Sequence, residues 1–286
     1  MNNEAITQLD HFGFLSITGR DAQKFLQGYV TCDLEKLEQE AMRGAICNIK
    51  GRMVSNFLVC RIEDGLLLRL SRDLLDPTLE FLKKYIVFSK AEMQNKSDQY
   101  NCYGIWGNKL AEQSGDLPTD LMAITHTPAG VAIKIADERF ELWATDQHEA
   151  EADTKEWQRA EIDSGVIWVD SATSEEYIPQ MLNLHNIEAI SFDKGCYLGQ
   201  EIVARMQYRG ELKKRLHVAQ LGVDSDARQD DEALAIGAKI LNGDGKNVGN
   251  IVARSSGSIA LVLKAGEPTY TLQNGTPLAA AEAPSS

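Results

Sequence analysis

The sequence predicts an α+β fold that closes in a small all-β unit. Up to about residue 209, apolar runs of five or six residues alternate with helical patterns. Beyond it come only short apolar segments separated by Gly and Asn turns. The third observation is size. At 286 residues, 43% hydrophobic and 25% charged, the chain has surface enough to bury two or three units without disulfide staples. The expected division is an α+β body over 1–209 and a β domain over 210–286.

The elements follow in order. Phe12 to Ile17 is a strand, and Gly19-Arg20-Asp21 opens a short helix with Asp21 as N-cap before Phe25 and Leu26. Phe57–Ile62 and Leu66–Leu70, joined across Asp64-Gly65, form a hairpin. Asp76-Pro77 reads as N-cap and first helical position, with Leu79, Leu82 and Ile86 on one face. Asn101–Trp106 is a strand, and Val131–Ile135 with Phe140–Trp143 a second hairpin. A helix is expected over His148–Ile162, stopped by Gly165. The β domain is read from Leu216–Leu221, Ala238–Leu241, Val248–Ala253, Ile259–Leu263 and Tyr270–Leu272, and the tail Ala279–Ser286 as disordered.

Composition excludes several classes. No apolar run reaches the roughly 18 residues of a membrane span, and Met1-Asn2-Asn3-Glu4 lacks the order of a secretory signal. The expected location is the cytoplasm, with no membrane partner. Five cysteines, widely spaced and without a CxxC pair, argue against a disulfide framework or a self-contained metal site. A net charge of −13 disfavours a dedicated nucleic-acid binder. Only Arg205, Arg209, Lys213, Lys214 and Arg215 cluster as cations, as either a solvated face or a small anion site.

The chemistry concentrates in Lys194-Gly195-Cys196-Tyr197-Leu198-Gly199-Gln200-Glu201. A helix is expected from Gly199, with Ile202, Val203 and Met206 at helical spacing. That places Cys196 ahead of a helix N-terminus and beside Lys194, both of which favour a thiolate. The alternative is a buried structural cysteine on a tight turn. Glu201 is expected to hold the helix start or the loop backbone. His185, eleven residues upstream, is a candidate base for the thiol or a structural histidine. Cys60 and Cys102 look like core residues, and Cys32 and Cys47 are undecided. No HxxxH or HExxH spacing occurs, so no metal site is assigned.

This octapeptide resembles the K-G-C-Y-x-G-Q-E motif of the YgfZ-type folate-binding proteins, relatives of the aminomethyltransferase (T protein) of the glycine cleavage system. Ile17-Thr18-Gly19-Arg20-Asp21, Phe25 to Asp33, Lys50-Gly51-Arg52-Met53, Leu82 to Lys90, Ile178-Pro179-Gln180 and Val248-Gly249 extend the resemblance over nearly the whole chain. It implies a three-lobed body, with two interleaved ferredoxin-like α+β lobes and a small C-terminal β-barrel, around a channel for tetrahydrofolate or a derivative. It also implies support of iron–sulfur cluster assembly or repair in target enzymes, among them radical enzymes that methylthiolate tRNA; direct tRNA binding through the 205–215 cluster is the third reading, and the net charge of −13 counts against a stable tRNA complex. By the same resemblance Phe12 and Trp157 are the folate-associated aromatics, though the first is often Trp in the family. Tyr197 and Arg205 join them as folate-binding candidates, the basic residues after the motif facing the anionic glutamate tail. The parent class positions folate with an aspartate in an Asn-containing segment. Here Arg69 to Asp76 lacks the asparagines, so aminomethyl transfer is expected to be lost. The rival expectation is a one-carbon transferase that keeps Asp76.

Overall fold

The computed structural model describes residues 5–107, 117–221 and 232–284. Among the described residues the strands form three antiparallel sheets. The first holds β2 (Phe12–Thr18), β3 (Met42–Cys47), β4 (Met53–Ile62), β5 (Gly65–Ser71) and β6 (Glu92–Asn95), in the order β3-β4-β5-β2-β6. The second holds β1 (Ala5–Gln8), β7 (Asn101–Trp106), β8 (Ile124–Thr127), β9 (Gly130–Ala136) and β10 (Arg139–Ala144), in the order β1-β7-β10-β9-β8. The chain therefore starts in one sheet, builds the other, and returns.

The third sheet is a nearly closed barrel of seven strands: β11 (Lys214–Gln220), β12 (Lys239–Leu241), β13 (Asn247–Ser255), β14 (Ser258–Lys264), β15 (Tyr270–Leu272), β16 (Pro277–Leu278) and β17 (Ala280–Glu282). Among the described residues the α-helices are α1 (Ala22–Gln27), α2 (Leu75–Lys83), α3 (Thr154–Asp163) and α4 (Gln200–Arg209).

The first sheet is covered on both faces, which explains its nearly unbroken apolar runs. On β4, Phe57 and Val59 face the core shared with α1, α2 and the barrel, while Leu58 and Cys60 face the second sheet. On β5, Leu66, Leu68 and Leu70 take the first face and Leu67 the second. Strand alternation puts Arg69 on the face of Leu67, between the sheets.

Four local expectations are corrected. The helix read from His148 starts at Thr154, where the Asp153 carboxylate accepts from the Lys155 N–H at 2.9 Å. Asp76 lies inside α2, because a 3₁₀ turn over Arg72–Leu74 feeds the helix two residues early. Asp21 occupies the N-cap position of α1 but accepts from Lys90 N–H at 2.8 Å instead of capping it. The tail expected to be disordered over Ala279–Ser286 is ordered up to Pro284, and Ser285 and Ser286 lie outside the described residues. Its strand β17 pairs with β11, and Ala283 enters the main core.

Candidate functional site

A cavity of 720 Å³ lies between the first two sheets and the segment after α3. A second, of 570 Å³, opens toward the barrel, and the two share Glu161, Val166 and Trp168 in their walls. These residues are held from several directions. Trp157 is fully buried and fills a hollow left by Gly104, where a Cβ would come within 2.5 Å of the indole. One turn later on α3, Glu161 reaches the cavity wall. Asn56 fixes the strand-like stretch around Trp168 by donating to Ile167 O (2.8 Å) and accepting from Val169 N–H (2.7 Å).

The wall carries buried charge. Arg69 donates from Nε and Nη2 to both oxygens of Glu141, and both side chains are out of solvent. The guanidinium stacks between two aromatics, 3.8 Å from the Phe12 centroid and 3.9 Å from that of Trp168. Its Nη1 is buried without a hydrogen-bond partner among the described residues, and so is Nη1 of Arg139. Trp168 Nε1 donates to Glu161 Oε1 at 2.7 Å. Burial pushes the Glu161 carboxyl up to about 7, against the pull of Arg69 and the Trp168 bond. Burial likewise lowers Arg43 and Arg139, which line the same cavity. The result is a pocket in which the buried Glu161 carboxyl, raised to about 7, stands with two idle guanidinium donors.

The motif lies elsewhere. Lys194 is buried, and its ammonium donates to the carbonyls of Gln27 (2.8 Å), Val30 (2.7 Å) and Cys32 (2.7 Å). Burial lowers it to about 8, opposed by the Cys32 thiol, Asp33 and Glu35. Leu198 N–H donates to Gly28 O at 3.0 Å. Tyr197 is buried, its hydroxyl pKa raised by burial, with Lys194 Nζ 5.1 Å from the ring centroid. Gly199 starts α4 with φ +83°, and a Cβ there would lie 2.5 Å from Asn48 O. Only glycine permits both that backbone and that approach. Cys196 stands exposed at the crest of this loop.

The structure thus separates what the sequence grouped. Phe12 and Trp157 are fully buried and line neither cavity, because Arg69 and Gly104 cover their faces. Cys196, Tyr197 and Arg205 do not line them either. Lys194 points inward to three carbonyls, with no hydrogen bond to the Cys196 thiol. Glu201 is exposed in the first turn of α4, where the helix dipole favours a carboxylate. His185 is half-buried, its pKa lowered by burial and Arg215, and no hydrogen bond joins it to Cys196. Cys32, Cys47 and Cys60 are buried with thiols pushed up to about 12. Asp76 is exposed away from the cavities, whereas Asp73 lines the second and accepts from Ser171 N–H at 2.8 Å. Among the described residues no three His, Cys, Asp or Glu side chains gather as a metal-binding set.

Residues 1–119 match the family described as the GCVT N-terminal domain. The aminomethyltransferase T of the glycine cleavage system from Bartonella henselae superposes over 99% of this chain and 85% of its own, with a TM-score of 0.71 at 10% identity. The tRNA-modifying protein YgfZ of Yersinia pestis (strain Pestoides F) is 35% identical over 231 residues, 74% of this chain and 69% of its own. That of Shigella dysenteriae is 35% identical over 227 residues, 73% and 69%. With the octapeptide loop in place and an aminomethyltransferase-like fold around it, the chain belongs to the YgfZ family.

Proposed function

We propose that this chain binds tetrahydrofolate or a close derivative in the central cavity. It serves as an accessory factor for iron–sulfur enzymes and, through them, for tRNA modification by methylthiolation. The observation that carries the ligand is the cavity wall itself. A pterin presents two adjacent N–H donors and a carbonyl on one planar edge, and a carboxylate flanked by idle guanidinium donors is its complement. Glu161 would hold the donor edge, and the unpaired Nη1 atoms of Arg69 and Arg139 would hold a carbonyl or carboxylate oxygen. Trp168, half-exposed in both cavities, supplies the aromatic wall first assigned to Phe12 and Trp157. Arg43, Lys134 and Arg139 line the same cavity, so the anionic tail has cations there without Arg205. A volume of 720 Å³ is in the range of cofactor sites.

The exposed Cys196 supports the accessory role, since a folate needs no thiol and this one faces outward. The outward placement of Asp76 weighs against aminomethyl transfer. The similarity to tRNA-modifying proteins supports the link to tRNA modification, while the charge of −13 weighs against direct tRNA binding. In cells lacking the chain, mass spectrometry of tRNA should show reduced methylthiolation, restored by the wild type and not by Cys196→Ala. Equal restoration by both would remove the thiol from the function.

A further inference from the structure

We propose that the surface around Cys196 is a docking face for an acidic protein, anchored by Val87 and Phe88; this rests on the accessory role above. Phe88 is 99% exposed and Val87 72%, in a single 3₁₀ turn after α2. Ile49, also 72% exposed, tips the turn whose Gly51 abuts Ile202 and Gly199 at the start of α4. Soluble proteins seldom display such side chains in company.

The elements carrying them touch one another in sequence. The Cys196 loop rests on Gly28 through Leu198 N–H. Tyr29 stacks on Tyr85 with centroids 4.8 Å apart, and Tyr85 leads into Val87 and Phe88. Asp21, at the other end of α1, binds Lys90 N–H just beyond them. The exposed apolar groups and the exposed thiol therefore occupy adjoining elements around α1.

Charge identifies the occupant. Segments 20–29, 48–52, 80–90 and 193–209 hold ten lysines and arginines against four carboxylates, Asp21, Glu80, Asp193 and Glu201, in a chain of net charge −13; Glu80 pairs with Lys83, and Glu176 from outside these segments pairs with Arg52. Of the ten, only Lys194 is buried. A cationic rim around aliphatic anchors fits a protein that offers carboxylates around an apolar recess. A polynucleotide would satisfy the cations but leave Val87 and Ile49 unmatched, since aliphatic side chains have no face on which bases stack.

The test uses a purified tRNA-methylthiolating iron–sulfur enzyme of the same organism, the full chain, and its Phe88→Asp and Val87→Asp variants. Both positions are solvent-exposed, so the variants should keep the wild-type melting temperature, tetrahydrofolate binding and Cys196 alkylation rate. Binding to the enzyme should weaken at least tenfold in either variant, and in the wild type should fall with added salt. tRNA methylthiolation in the deletion strain should not be restored by Phe88→Asp. If the wild type restores methylthiolation and both variants do so equally, the docking face is wrong and the accessory role stands. If the wild type itself restores nothing, the accessory role fails and this partner with it. Salt-sensitive tRNA binding abolished by Phe88→Asp, or dimerisation abolished by it, would replace the protein partner with RNA or a second copy.

Discussion

Replacing Lys194 by Met separates the two roles open to that lysine. In the structure its ammonium satisfies three carbonyls, those of Gln27, Val30 and Cys32, at 2.7 to 2.8 Å. Met keeps the chain length and apolar stem but leaves those acceptors without this donor. A hydrogen bond to a charged group contributes about 1.5–3 kcal/mol. The three share one cation that burial disfavours, so the sum is well below three independent bonds, about 3 kcal/mol. The assay is urea unfolding followed by tryptophan fluorescence, paired with native-state alkylation of Cys196 across pH. Lys194→Met should lower the unfolding free energy by that amount, and Lys194→Arg should not rescue it, because a planar fork does not fit a three-carbonyl cradle. A variant as stable as wild type, with Cys196 alkylation displaced to higher pH, would refute the bracing role and restore the lysine as a partner of the thiol.

Other outcomes follow from the same geometry. Arg69→Met should cost about 3–5 kcal/mol by leaving Glu141 buried without its counter-charge, and Arg69→Met with Glu141→Gln much less; calorimetry of the single and double variants reads this directly. Native protein treated with iodoacetamide should take up one adduct, at Cys196, as intact-mass measurement would show, and Cys196→Ala should change stability by less than about 0.5 kcal/mol. Deleting residues 279–286 should destabilise the fold by about 1–3 kcal/mol, because β11 loses its edge partner and Ala283 leaves the core; an unchanged melt would return the tail to the disordered class.

The strands were legible because their signals are local: alternating or continuous apolar runs and the turns between them. The motif loop was legible too, with Gly199 at positive φ opening α4. The cavity was not, although it left a trace. Arg69 interrupts Leu66-Leu67-Leu68-Arg69-Leu70, and Glu141 interrupts Phe140-Glu141-Leu142-Trp143. A charge inside such a run marks a buried partner on a distant strand, and nothing local says which. Glu161 lies four residues after Trp157, on the buried stripe of α3, which is the same kind of signal. The direction of Lys194 depended on the carbonyls of the 27–32 loop, 162 to 167 residues away in sequence. Neighbourhood in sequence suggested Cys196 as its partner; three distant acceptors outcompete one exposed thiol.

The pH response of the cavity bears on folding as well as binding. Glu161 is raised from 4.5 to about 7, so the folded state holds a proton that the unfolded chain has released. Its contribution to stability is complete below about 4.5 and is lost as pH rises through about 7. A ligand that needs the carboxylate works against this and binds better at high pH.

The most direct measurement is therefore calorimetric titration of tetrahydrofolate under anaerobic conditions at pH 6, 7 and 8, with wild type and Glu161→Gln. Wild-type affinity should rise through about pH 7, by close to tenfold per unit on the acid side. Glu161→Gln should bind at least tenfold more weakly than wild type at pH 8, with no rise across pH 7. Equal affinity of the two proteins at every pH, or no binding by the wild type at millimolar concentration, would contradict the assignment of the cavity to a folate.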